Sequence, residues 1–193
     1  MTQLVELIRS LLNRDSPGSP AMASVDPGTG LPTRAALIVE LRKTLSRSKH
    51  KVPVALAIVE FRDIGGGGID DQRPLLKRLA TLLRTWVPSE HVVGHLREGE
   101  FAIIFRALPQ VEIQNLASHI VENVRREPSL EGRQRQIVTT FGVGYASRSD
   151  GDASHLLTLA DIALNYASST GRTWHAIVDT AFSPGTNRRG RAA

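Results

Sequence analysis

The sequence predicts an α+β fold, an α/β sandwich with a ferredoxin-like βαββαβ core extended at its C-terminal end by one more helix and one more strand. Three observations carry that reading. Apolar runs rich in β-branched residues alternate with segments whose leucines recur every three to four residues. Two of the runs, Val92 to Leu96 and Phe101 to Phe105, are parted only by Arg97, Glu98, Gly99 and Glu100, which is a hairpin signature. A composition of 41% hydrophobic and 22% charged residues belongs to a globular chain.

Taken in order, residues 1–14 predict a short amphipathic helix, because Leu4, Leu7, Ile8, Leu11 and Leu12 share one helical face. So short a helix is marginal alone and needs a partner surface. Residues 15–24, rich in Pro, Gly and Ser, read as a linker, and the folded domain is expected over 25–180. Residues 34–47 are helical by Leu37, Ile38, Leu41 and Leu45. Val52 to Phe61 is an apolar run suited to a buried strand. The four glycines Gly65 to Gly68 cannot hold a helix. A helix follows, marked by Leu75, Leu76, Leu79, Ala80, Leu83 and Trp86, and then the hairpin. Pro109 opens a helix carrying Ile113, Leu116, Ile120 and Val124. Ile137 to Ala146 is a strand whose Gly142 and Gly144 imply a bulge or a close backbone approach. Residues 153–169 form a helix with Gly171 just past its end, where a left-handed cap is expected, and Trp174 to Val178 is a last strand. Residues 181–193, which hold Arg188, Arg189 and Arg191, are expected to be a basic, disordered tail.

The composition narrows the function classes. The chain has no cysteine, so disulfides, thiolate metal sites and cysteine nucleophiles are excluded. No apolar run reaches the roughly 20 residues of a membrane helix, and no leader pattern opens the chain, so a cytoplasmic protein without membrane contact is expected. The net charge of +5 owes part of its excess to the tail, and aromatics are only 5% of residues, so a nucleic-acid platform is not expected. The histidines His50, His91, His95, His119, His155 and His175 show no ligand spacing. The glycine run lacks the order of a phosphate-binding loop and no lysine follows it directly. Asp26 and Arg34 flank a Pro/Gly turn and predict a local ion pair of modest value.

Three stretches carry a resemblance. DPGTGLPTR, Asp26 to Arg34, resembles the D-x-L-T-G-L-x-N-R turn that opens GGDEF (diguanylate cyclase) domains, with Gly28 in place of Leu and Thr33 in place of Asn. LREGEFAIIF, Leu96 to Phe105, stands where that family has R-x-G-G-D-E-F followed by an apolar strand. LADIALNYASSTGR, Leu159 to Arg172, resembles the family helix A-D-x-A-L-Y-x-A-K-x-x-G-R, and VTTFGVGYA precedes it much as V-T-x-S-x-G-x-A does in the family.

The resemblance implies a cyclase that condenses two GTP molecules with two divalent ions held by carboxylates. It also implies where this chain departs. The first carboxylate position is Glu60; the second, the third letter of the signature, is Gly99; the two glycine positions are Arg97 and Glu98; only Glu100 and Phe101 remain. Phe101 is read more simply as core. Arg62 replaces an aspartate, Gly65 a lysine, Gly68 the guanine-reading asparagine, Gln72 and Arg73 a later G-D pair, and Ser168 the phosphate-meeting lysine. The inhibitory R-x-x-D falls at Pro88 to His91, with neither residue present, so cyclic di-GMP binding there is unsupported. The expectation is a degenerate GGDEF domain in bacterial cyclic di-GMP-related signalling, with Arg97, Glu98, Gly99, Glu100 and Phe101 as a vestigial signature, no cofactor, and a protein partner or a second copy as its target. The alternatives are an active cyclase using GTP and Mg²⁺ through Glu60 and Glu100, and a GTP sensor without turnover.

Overall fold

A computed structural model describes residues 24–48, 54–64, 72–127, 130, 136–146 and 152–178. The expected N-terminal helix, nearly all of the linker, the glycine run and the basic tail lie outside the described residues. The elements are α1 (Arg34–Arg47), β1 (Val54–Asp63), α2 (Gln72–Trp86), β2 (Val92–Arg97), β3 (Glu100–Arg106), α3 (Gln110–Arg126), β4 (Ile137–Ala146), α4 (Ala153–Ser169) and β5 (Trp174–Val178). The sheet order is β2-β3-β1-β4-β5. β1 runs antiparallel to both β3 and β4, β2 is antiparallel to β3, and β5 is parallel to β4. The first four strands and α2 and α3 make the ferredoxin-like core. α4 and β5 then extend it by a parallel crossover.

Strand alternation divides the core. On one face Val54, Leu56 and Ile58 of β1, with Ala102 and Ile104 of β3, meet Leu37, Leu41 and Leu45 of α1 and Leu156, Ala160 and Leu164 of α4. On the other, Ala55, Ala57, Val59 and Phe61 join Phe101, Ile103, Phe105 and Phe141 against Leu79 and Leu83 of α2 and Ile113, Ile120 and Val124 of α3. Burying each such large side chain stabilises by roughly 1.5–3 kcal/mol.

Local chemistry sets the ends. The Thr33 hydroxyl accepts from Ala36 N at the start of α1, and the Asp152 carboxylate accepts from Ser154 N at the start of α4. α4 stops at Gly171, whose φ of +67° lets Arg172 N donate to Ala167 O at 2.8 Å. Of the two expectations for Gly142 and Gly144, close approach is the one realised. The β1–β4 register runs unbroken, and α4 lies against both glycines. Several boundaries differ from expectation. β2 runs on to Arg97 and β3 spans Glu100–Arg106, so only Glu98 and Gly99 part them. β1 runs on to Asp63 because β4 continues to pair with it at Arg62↔Val138 and Asp63↔Ile137. α2 begins at Gln72, a turn ahead of its first core leucine.

Candidate functional site

The end of β1, the β2–β3 hairpin and α4 converge on one corner of the sheet. Glu60 is the Cα partner of Glu100 on β3 and of Thr140 on β4. Directly paired residues point to the same face, here the α1/α4 face, and like charges so placed repel. Each carboxylate is answered by an arginine. Arg62 Nη2 lies 3.1 Å from Glu60 Oε2 and donates to Ser168 Oγ at 2.8 Å. Arg97 Nε lies 2.8 Å from Glu100 Oε1, and its Nη2 lies 3.6 Å from Asp161 Oδ1 on α4. The hydrogen bond to Glu100 raises the Arg97 pKa against a smaller opposing effect of burial, and the charges of Glu100, Asp161 and Glu60 add to the rise.

Arg97 and Glu100 close a turn made of Glu98 and Gly99. Gly99 has φ +73°, and its carbonyl accepts from Phe61 N at 2.8 Å. A Cβ at this position would sit 2.9 Å from Phe61 O, so both conformation and space demand glycine. Behind the turn Phe101 is fully buried, its ring 5.7 Å from Phe61 and 5.2 Å from His95. β3 keeps a regular register on β1, while its pairing with β2 shifts between His95 and Arg97.

The Asp26–Arg34 pair expected from the sequence does not form. Asp26 Oδ2 turns inward, accepting from Thr29 N and Thr29 Oγ1, each at 2.7 Å, and approaching His95 Nδ1 at 3.4 Å. Burial works to raise the Asp26 pKa, but the Thr29 hydrogen bonds and the His95 charge outweigh it and hold it below the ordinary value. Arg34 instead borders a hollow of about 330 Å³ between α1, the hairpin and α4, with Arg97, Glu100 and Asp161. Among the described residues no three His, Asp or Glu side chains gather as metal ligands.

The same order of turn, strand, hairpin and helix is reflected in known proteins. The family model "Diguanylate cyclase, GGDEF domain" matches residues 23–173. The chain belongs to the GGDEF family. The GGDEF domain is similar in fold to the diguanylate cyclase SiaD of Pseudomonas aeruginosa, solved with its activator SiaC (TM-score 0.70, 21% identity, 92% of this chain and 67% of that one). It is similar to the FimX GGDEF domain of the same organism (TM-score 0.68, 21% identity, 81% and 99%). It also resembles the GGDEF domain of DgcB from Caulobacter crescentus, solved with c-di-GMP (TM-score 0.69, 17% identity, 83% and 98%). A curated relative, the uncharacterised protein y4lL of Sinorhizobium fredii, is 27% identical over 158 residues, or 78% of this chain, which spans only 19% of that protein's length.

Within the GGDEF domain Gln72 and Arg73 open α2, Gly65 and Gly68 lie outside the described residues, and the other positions selected against the family signature fall into two groups. Glu60, Arg62, Arg97, Glu98, Gly99, Glu100 and Ser168 come together at the corner; Pro88 to His91 lie at the far end of β2. His91 is buried there, its ring 5.2 Å from Phe105, and its Nδ1 accepts from Arg106 N at 3.5 Å. Arg106 is itself held by Glu40 at 2.7 Å. Burial lowers the His91 pKa below 6.5, opposed by Glu90 and assisted by Arg106. An unfolded chain therefore takes up a proton more readily than the folded one. The stability that neutral His91 contributes is intact above about pH 6.5 and is lost as pH falls from there through the folded value. Urea midpoints measured between about pH 7 and pH 5 should drop toward acid, and the His91→Gln variant should drop less.

Sequence reading missed Asp161 and His95 as participants at the hairpin. Asp161 was visible only as part of a family motif. The guanidinium that reaches it stands 64 residues away in the chain, a distance no local pattern spans.

Proposed function

We propose that this GGDEF domain is a non-catalytic regulatory module of bacterial cyclic di-GMP-related signalling, acting in the cytoplasm by contact with a protein partner or a second copy of itself. The observation that carries the reading is the arginine pairing at the corner. A cyclase site needs carboxylate oxygens free to hold divalent ions against triphosphates. Glu60 is engaged by Arg62 and Glu100 by Arg97, and position 99 has neither a side chain nor room for one. The residues do not fit a pair of Mg²⁺ ions. Glu98 adds a negative charge where the family has glycine. The cation that the family carries on its last helix stands here on the strand, as Arg62 beside Ser168, already matched by Glu60.

The Pro88 to His91 turn supports the absence of cyclic di-GMP binding, since it offers a buried imidazole in place of an exposed arginine and aspartate. The protein-contact part of the proposal draws on SiaD, a GGDEF protein solved with a protein activator. No described helix is long and apolar enough to cross a membrane. The alternative of GTP turnover with Mg²⁺ has one point in its favour, the pairing of Glu60 with Glu100 across adjacent strands.

Incubating the full chain with GTP and Mg²⁺ or Mn²⁺ should yield no cyclic di-GMP by chromatography. Gly99→Asp should restore none and should destabilise by about 1–2 kcal/mol, because the left-handed conformation disfavours a side chain. Product that disappears in Glu60→Ala or Glu100→Ala would overturn the proposal in favour of catalysis.

A further inference from the structure

We propose that the hollow between α1, the hairpin and α4 binds a small zwitterion with an aliphatic body, an amino acid by chemical class. The hollow has a volume of about 330 Å³, at the lower end of the range of roughly 300–1,000 Å³ that small-molecule sites occupy. Every residue that lines it stands on a helix or a strand, so its walls are held in place without a ligand. It shares Arg97 and Glu100 with the corner, but Glu60, Arg62 and Ser168 do not line it. The proposal therefore stands whether or not the domain turns over GTP.

The lining sets the ligand's chemistry. Ile38, Ile58, Leu96 and Leu157 give it an apolar surface suited to an aliphatic body. Its charges are balanced, with Arg34 and Arg97 against Glu100 and Asp161. A ligand of one sign meets repulsion from half of that set, whereas a ligand of both signs answers all of it. At the cationic side Arg34 is not held by Asp26, which turns inward to Thr29 and His95. A guanidinium matches a carboxylate in two parallel hydrogen bonds. At the anionic side Arg97 Nε holds Glu100 Oε1 at 2.8 Å, but Arg97 Nη2 stands 3.6 Å from Asp161 Oδ1, beyond hydrogen-bond length. The Arg97 and Asp161 side chains are 62% and 48% exposed, and an ion pair so long and so exposed is weak. The other Asp161 oxygen, Oδ2, receives Asn165 Nδ2 at 3.4 Å. A ligand ammonium can therefore take Asp161 at hydrogen-bond distance while Arg97 keeps Glu100.

Calorimetry of the full chain with L-leucine, 6-aminohexanoate, hexanoate, hexylamine and glycine tests this. Leucine and 6-aminohexanoate carry both charges at different spacings, and at least one of them should bind. Hexanoate and hexylamine each lack one charge and should bind about tenfold more weakly than that zwitterion. Glycine lacks the aliphatic body and should fall behind by about the same factor. Arg34→Gln and Asp161→Asn should each weaken the zwitterion about tenfold, with circular dichroism confirming an unchanged fold. The proposal fails if neither zwitterion gives heat, if hexanoate, hexylamine or glycine binds as tightly as the zwitterion, or if either variant binds like the parent chain. Should one variant not fold, the other variant and the three comparison ligands decide.

Discussion

Gly142→Ala should cost this domain at least about 3 kcal/mol, at the top of the range for forcing one carbon into a packed interior. A Cβ at residue 142 would run into Leu164 N and Ala160 O, and would sit 2.5 Å from Leu164 Cα. All three belong to the backbone of α4, so no rotamer change relieves the clash. The helix must lift off β4 or the strand must bend away from β1. Leu156, Ala160 and Leu164 would lose their seats against the sheet. Urea unfolding followed by circular dichroism measures the effect. A midpoint within error of the parent's would show that α4 stands further from β4 than described.

Phe101→Ala should cost about 3–5 kcal/mol, the usual toll of emptying a buried aromatic site. Phe101 is the surviving aromatic letter of the family signature, and its position invites a functional reading. Its surroundings are those of a core residue. It is fully buried, edge-on to Phe61 and tilted against His95. The same unfolding experiment applies. Phe101→Leu should recover most of the loss, since shape and apolarity are what the site requires. If Phe101→Ala left stability unchanged while abolishing a ligand- or partner-dependent signal, the residue would belong to recognition and not to packing.

Much of the fold was legible because its elements repeat apolar residues at a clean period. The bounds of β4, α4 and β5 follow directly from IVTTFGVGYA, from the alternation of Leu and Ala over residues 153–169, and from WHAIV. The hairpin was legible because two apolar runs flank four polar or small residues. The start of α2 was not, since Gln72 and Arg73 carry no apolar signal and helical backbone extends beyond the buried face. The site was legible as a set of positions but not as a set of contacts. The residue order shows that position 99 lacks a carboxylate. It does not show that Arg97 reaches α4 or that Arg62 reaches Ser168, a pairing 106 residues apart. Local reasoning also matched Asp26 with the nearest cation, Arg34. The turn itself supplies Thr29, and the sheet edge supplies His95. A donor two or three residues away, held by backbone geometry, outcompetes a flexible guanidinium.

The strand order has a consequence for how the chain assembles. β1 is the middle strand, yet it is made before either neighbour. Val54 must wait for Arg106 on one side and Ala146 on the other. During synthesis this apolar strand therefore keeps one edge open until Arg106 is made and the other until Ala146 is made. Such late, distant closures slow a two-state search and leave sticky edges open meanwhile. α1, capped at its start by Thr33, is the first element available to shelter one face of that waiting strand.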